Sequence, residues 1–228
     1  MKIVPLPAEE VAKSDAFAAS RWRPLPPAGG VLAIPTESSY GLAAAPDDRT
    51  AVDRVFALKG RRADQPLPVV VASMAQLAGL GVKASKAVRT VLGSHWPAPL
   101  TAVLPIAEPL AASAGRRTLA VRRPAHAGLR RLLEETGPLT ATSANRSGEA
   151  PFLDALSVAD WMAEFGRRDG VSQGGDAVID GGRLHGGPPS TLIDLSGSAP
   201  RVLRLGAFQG PALDELMETA APALTYRD

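Results

Sequence analysis

Apolar positions along this chain fall into two alternating patterns. Short continuous apolar runs are bounded by Pro-, Gly- and Ser-rich stretches, and between them lie segments whose apolar residues recur three and four apart. The first pattern reads as buried strands and the second as amphipathic helices. Strands are expected at Lys2–Pro5, Val31–Pro35, Leu67–Ala72, Thr101–Pro105, Thr118–Arg122, Leu139–Thr142, Ala177–Asp180, Thr191–Asp194 and Val202–Leu205. Helices are expected at about Ala8–Ser20, Thr50–Lys59, Ala75–Leu80, Ser85–Leu92, Ala127–Thr136, Leu156–Phe165 and Pro211–Ala220. In Thr50–Lys59, Val52, Val55, Phe56 and Leu58 form the apolar stripe, with Asp48 or Thr50 as its cap. Gly137-Pro138 should end the helix over Ala127–Thr136. Strands alternating with helices predict a layered α/β domain.

Composition narrows the functions this domain can carry. The chain has 228 residues, 45% of them apolar, enough for a sizeable core in one domain. No linker divides it. The 22 glycines and 21 prolines are spread through loops, as in a loop-rich globule. There is no cysteine, which excludes disulfides, thiolate metal sites and a cysteine nucleophile. His95, His126 and His185 are far apart and lack metal-ligand spacing, so no metal site is expected. The N-terminal stretch carries Glu9, Glu10 and Asp15 where a secretory signal is apolar, and no long apolar run exists; no membrane segment and a cytoplasmic location are expected. Net charge is only +2, but Lys59, Arg61 and Arg62, then Arg116, Arg117, Arg122 and Arg123, form local basic clusters. Such clusters are either solvated faces or anion sites.

Four polar segments follow predicted strands or helices, where ligands collect in open α/β sheets. Neither GxxxxGK[ST] nor GxGxxG is present, so a bound phosphate would have to be neutralised by side chains and loop amides. Ile34–Leu42 offers the hydroxyls of Thr36, Ser38 and Ser39 and the ring of Tyr40, or is a plain polar loop. Leu58–Val71 places Lys59 and Arg61 at a helix end, where they complement the helix dipole or clamp phosphates. Thr118–His126 runs a strand into Arg122 and Arg123, which the period of two points to opposite sides. Thr140–Pro151 holds Ser143, Asn145, Ser147 and Gly148, either turn residues or a hydroxyl and amide facing one ligand.

The order of these pieces carries more than any one of them. PTExxYGL, KGR followed by PL, WPxPLT, AVRxP, SANxSG, STxxDL and RxG, from Ile34 to Gly206, resemble the YrdC-like family, which includes the threonylcarbamoyl-AMP synthases. The resemblance implies one domain over 1–228, with a matched core of about 31–206, a C-terminal extension over 207–228 and no second domain. It implies an α/β fold, a twisted sheet with helices packed around it, and a basic concave cleft in which ATP, bicarbonate and L-threonine yield pyrophosphate and threonylcarbamoyl-AMP, an intermediate for a modified adenosine at position 37 of certain tRNAs. Carried over residue by residue, Lys59 and Arg61 are the catalytic pair. Lys59, Arg61, Gln65, Thr118, Ser143, Asn145 and Arg204 bind ATP. Thr36, Ser38, Arg122, Ser143 and Ser190 bind threonine. Mg²⁺ accompanies ATP, no tightly bound organic cofactor is implied, a tRNA-modifying transferase complex receives the product, and weak tRNA or double-stranded RNA binding is implied. Members often have a histidine after PL, SPT after SANxSG and an acidic residue before ST; this chain has Pro68–Ala72, Ala150–Phe152 and Pro188-Pro189 there. Two alternatives stand beside the synthase: a paralogue with another acyl substrate, and an RNA-binding protein without catalysis, the latter disfavoured by 4% aromatic content.

Overall fold

The computed structural model describes residues 1–6, 25–169 and 175–225. The helix expected over Ala8–Ser20 lies outside them. The strands divide between two mixed sheets. The first contains β1 (Lys2–Pro5), β9 (Ala177–Asp180), β2 (Leu32–Pro35), β3 (Tyr40–Ala43) and β8 (Thr142–Ser143), in that order. The second contains β11 (Arg201–Arg204), β10 (Thr191–Asp194), β5 (Leu100–Pro105), β6 (Thr118–Arg122), β4 (Val69–Val70) and β7 (Leu139–Thr140). The helices are α1 (Arg49–Lys59), α2 (Gln76–Gly79), α3 (Lys86–His95), α4 (Ala127–Thr136), α5 (Ala155–Asp169) and α6 (Pro211–Thr225). The α/β class is as expected.

Two local expectations change. Thr36–Gly41 was expected as a loop throughout, but Tyr40–Ala43 forms β3, antiparallel to both β2 and β8 and buried along its length. Leu139–Thr142 was expected as one strand. It breaks at Ala141, so that Leu139–Thr140 pairs with β4 in one sheet and Thr142–Ser143 with β3 in the other. The bend is held on both sides: Thr140 exchanges hydrogen bonds with Ala44 through its amide (2.8 Å) and hydroxyl (2.9 Å), and the Ala141 amide donates to the Pro68 carbonyl (2.8 Å). The two sheets therefore meet at an angle at this corner.

The six-stranded sheet shows why the cleft lies where it does. Along β5 and β6, Leu100, Ala102, Leu104, Leu119 and Val121 are buried in the larger apolar cluster, with Val52 and Val55 of α1, Leu92 of α3 and Leu216 of α6. Their alternates, Thr101, Val103, Thr118, Ala120 and Arg122, line a cavity on the other face. Period-two alternation thus puts the core on one face and the cleft floor on the other. A smaller apolar cluster packs Leu129, Leu132 and Leu133 of α4 against Leu32, Ile34 and Ile179.

Candidate active-site cleft

The cleft encloses about 890 Å³, in the upper range for small-molecule sites (roughly 300–1,000 Å³). Its floor is the open face of β5, β6 and β10. One wall is the Thr36–Gly41 segment with Thr142 and Ser143 of β8, from the other sheet. Arg61, Gln65 and Arg116 stand on the rim, and Gly187, Pro189 and Ser190 approach from the segment before β10. Of the eleven residues assigned by resemblance, nine line this one cavity, namely Thr36, Ser38, Arg61, Gln65, Thr118, Arg122, Ser143, Ser190 and Arg204; Lys59 and Asn145 do not.

Lys59 and Asn145 stand directly behind the wall. α1 begins at Asp48, whose carboxylate accepts from the Ala51 amide (3.0 Å). It ends in a Schellman turn: the Gly60 amide donates to Ala57 O (3.1 Å) and the Arg61 amide to Phe56 O (3.0 Å), with Gly60 at φ 58°. A left-handed residue is required there, which glycine supplies without a Cβ penalty. The turn separates the two cations. Lys59 points inward and is 4% exposed, while Arg61 lines the cleft. The Lys59 ammonium donates to Ser143 O (2.5 Å), Asn145 Oδ1 (2.9 Å) and Asn145 O (3.2 Å), with Ser143 Oγ at 3.4 Å. Ser143 Oγ donates to Asn145 Oδ1 (2.7 Å), and Asn145 Nδ2 donates to Glu149 O (2.5 Å). Lys59 thus fixes the loop that presents Ser143. Burial pushes its pKa down to about 8, helped by the charge of Arg61.

The other cations are also oriented. Arg61 donates through Nε to Gln65 Oε1 (2.7 Å). Arg122 pairs with Glu37 (2.8 Å), whose second oxygen accepts from the Ala125 amide (2.6 Å). Arg123 does not line the cleft; it donates to the Ala72 carbonyl (2.9 Å) and is half-buried. Arg204 reaches the cleft through a β-bulge. It pairs with Leu192, while Val202 pairs with Ile193, leaving Leu203 as the extra residue. Residues directly opposite share a face, so the bulge brings Arg204 to the cleft side with Leu192. Burial lowers the pKa of both Arg61 and Arg204.

Ser190 is a junction. Its hydroxyl lies 2.8 Å from that of Thr101, and its carbonyl accepts from Arg204 (2.9 Å). A Cβ on Gly206 would sit 2.1 Å from Pro189 O, so only glycine allows this approach. Thr36 donates to Ser39 O (2.7 Å), closing its own loop while lining the cleft.

Three contributors were not singled out from the sequence. Thr101 and Asp194 line the floor, and Glu37 holds Arg122. The alternation in Leu100–Val103 carried a signal for Thr101; Glu37 had none beyond its place in PTExxYGL. Asp194 is the one carboxylate lining the cleft among the described residues. Burial would raise its pKa, but hydrogen bonds from Ser196 and the Arg201 guanidinium outweigh it and hold it below the usual carboxylate range. No group of three or more metal-ligating side chains occurs among the described residues.

Of the sequence departures, Pro68, Val70 and Pro189 line the cleft. Phe152 does not; its ring packs against Trp161 at 5.3 Å.

Known proteins resemble this chain in sequence and in fold. The family model Sua5_yciO_yrdC, described as "Telomere recombination", matches residues 27–206. The threonylcarbamoyl-AMP synthase of Pyrococcus abyssi is 39% identical over 183 residues, 79% of this chain and 51% of that protein. This chain therefore spans about half the length of that relative. The threonylcarbamoyl-AMP synthase of Thiobacillus denitrificans is 36% identical over 171 residues, 74% of this chain and 86% of that protein. A crystal structure of P. abyssi Sua5 complexed with L-threonine superposes with a TM-score of 0.73 at 33% identity, covering 95% of this chain and 60% of that one. By the extent of the family match and the identity to these relatives, the chain belongs to the Sua5/YciO/YrdC family.

Proposed function

We propose that this protein is a threonylcarbamoyl-AMP synthase, joining L-threonine, bicarbonate and ATP. The observation that carries the reading is the single cleft in which Arg61, Thr118, Ser143 and Arg204 face the same space as Thr36, Arg122 and Ser190. One set suits a nucleotide and the other an amino acid.

In the first step the threonine ammonium group gives up a proton, and the free amine and bicarbonate form a carbamate with release of water. A carbamate oxygen then attacks the α-phosphorus, the bond to the bridging oxygen breaks, and pyrophosphate leaves. No protein nucleophile is needed. The protein positions the reactants and stabilises developing charge. Arg61, oriented by Gln65, faces the phosphate tail. Arg122 has one edge on Glu37 and offers the rest of its guanidinium to the threonine carboxylate. Ser190 and Thr36 face the amino acid. Lys59 acts from behind, holding Ser143 and Asn145 in place. Phosphate oxygens of ATP would hold Mg²⁺, which would offset charge on the departing pyrophosphate. The reaction is placed in the cytoplasm, where ATP and tRNA meet, with a tRNA-modifying transferase complex as receiver. No helix among the described residues is long and apolar enough to cross a membrane.

The test is an omission assay. Pyrophosphate should appear only when ATP, bicarbonate and L-threonine are all present, with threonylcarbamoyl-AMP identified by mass. Release that is indifferent to threonine would point to another acyl substrate. RNA retention with no pyrophosphate at all would point to a binding protein.

A further inference from the structure

Among the described residues, four guanidinium groups line the cleft: Arg61, Arg116, Arg122 and Arg204. Three are engaged by the protein, Arg61 by Gln65, Arg122 by Glu37 and Arg204 by the Ser190 carbonyl. The Arg116 side chain makes no hydrogen bond or ion pair with any described residue. Its neighbour Arg117 is occupied, donating to Ala107 O (2.7 Å) and to Glu108 (3.1 Å).

The backbone beneath Arg116 is firmly built. Its amide donates to Ser113 O (3.1 Å), and the fully buried Ser113 exchanges hydrogen bonds with Leu110 (3.1 and 2.9 Å). The Ala112 amide donates to Pro46 O (2.9 Å), and the Leu67 amide donates to Ala112 O (2.8 Å). Leu67 is two residues from Gln65, so this turn is tied to the segment that orients Arg61. Thr118 follows Arg116 by two residues and also lines the cleft. A free guanidinium on an anchored turn breaks no internal contact when it meets an anion, and its planar fork fits phosphate oxygens in pairs.

We propose that Arg116 binds the terminal phosphates of a nucleoside triphosphate, as a second cation on the rim shared with Arg61. This rests on the nucleotide reading above and adds a specific consequence: Arg116 senses the length of the phosphate tail. ATP and pyrophosphate engage it, and AMP does not.

The experiment is calorimetric binding of ATP, inorganic pyrophosphate, AMP and L-threonine to the full chain and to Arg116→Ala, Arg116→Lys and Arg117→Ala, all at one ionic strength. Arg116→Ala should weaken ATP and pyrophosphate about tenfold, or about 1.4 kcal/mol, and leave AMP and threonine within about twofold. Arg116→Lys should recover part of the loss, and Arg117→Ala should match the wild type. Unchanged ATP affinity in Arg116→Ala overturns the proposal, as does an equal loss for AMP. An equal loss in Arg117→Ala also overturns it, because that would be a general field effect. A wild-type chain that binds no ATP sinks the nucleotide reading itself, a result distinguishable from all of these.

Discussion

Lys59 donates to the side-chain oxygen of Asn145 at 2.9 Å, across 86 positions of sequence. Both residues are nearly excluded from solvent, and neither lines the cleft. Their bond makes the end of α1 and the Ser143–Asn145 loop one unit, so the cation sets the geometry of a loop it lies behind.

The charge on Lys59 should give activity an alkaline limit. Its pKa is about 8 in the folded chain against 10.5 for an ordinary lysine. As pH rises through 8 the ammonium loses a proton and one of its donated hydrogen bonds. kcat/KM for ATP, which reports the free enzyme, should fall with a midpoint near 8. Bound triphosphate favours the charged form, so the limb in kcat should lie higher. Between 8 and 10.5 the unfolded chain binds more protons, so this group's contribution to stability rises over the same window. A fall in activity without a fall in melting temperature separates the effect from unfolding; a flat profile from pH 7 to 9.5 would remove Lys59 from the account.

Gly206→Ala should damage the site without touching substrate. The new methyl would lie 2.1 Å from Pro189 O and 2.6 Å from the Ser190 carbonyl carbon. Backbone must shift, taking Ser190 with it. KM for threonine should rise at least about tenfold, corresponding to about 1.4 kcal/mol. Steady-state kinetics with threonine varied would show it, and an unchanged KM would mean that Ser190 does not read the amino acid.

Thr101→Val removes the hydroxyl 2.8 Å from that of Ser190 while keeping shape. Thr101 is 4% exposed, so the Ser190 rotor loses a fixed partner. The expected cost is about 1 kcal/mol in threonine binding. ATP affinity should stay within about twofold. Equal losses for both substrates would indicate a general disturbance of the floor.

Asp176→Ala should cost stability rather than chemistry. Asp176 holds Arg54 through two bonds, 2.8 and 2.6 Å, and accepts from the Val31 amide (2.9 Å). Removing it strands a largely buried guanidinium, at a cost of about 3–5 kcal/mol. Urea unfolding with an unchanged slope and a lower midpoint would bear this out; a midpoint equal to that of the wild type would show the pair contributes nothing.

Much of the fold was legible because burial has a period. β6, α4, β9 and β10 have the bounds expected from the apolar pattern. α1 starts one residue early, behind its Asp48 cap. β3 was missed because Tyr40-Gly41 looks like turn chemistry, and its strand character depends on partners on both sides. The kink at Ala141 was likewise invisible, since nothing local distinguishes one strand from two that serve different sheets.

The sequence alone determined the alternation of strands and helices, the two faces of β5 and β6, and the order of polar segments that marks the family. It placed Lys59 and Arg61 together at a helix end. Only the tertiary structure decided that Lys59 turns inward to a loop 84 and 86 positions away while Arg61 faces the cleft. Only pairing with β10 decided that a bulge would bring Arg204 to the cleft. The reason is physical: period reports which side of an element is buried, whereas the direction of a charged side chain depends on which distant carbonyls and carboxylates the fold brings within hydrogen-bond reach.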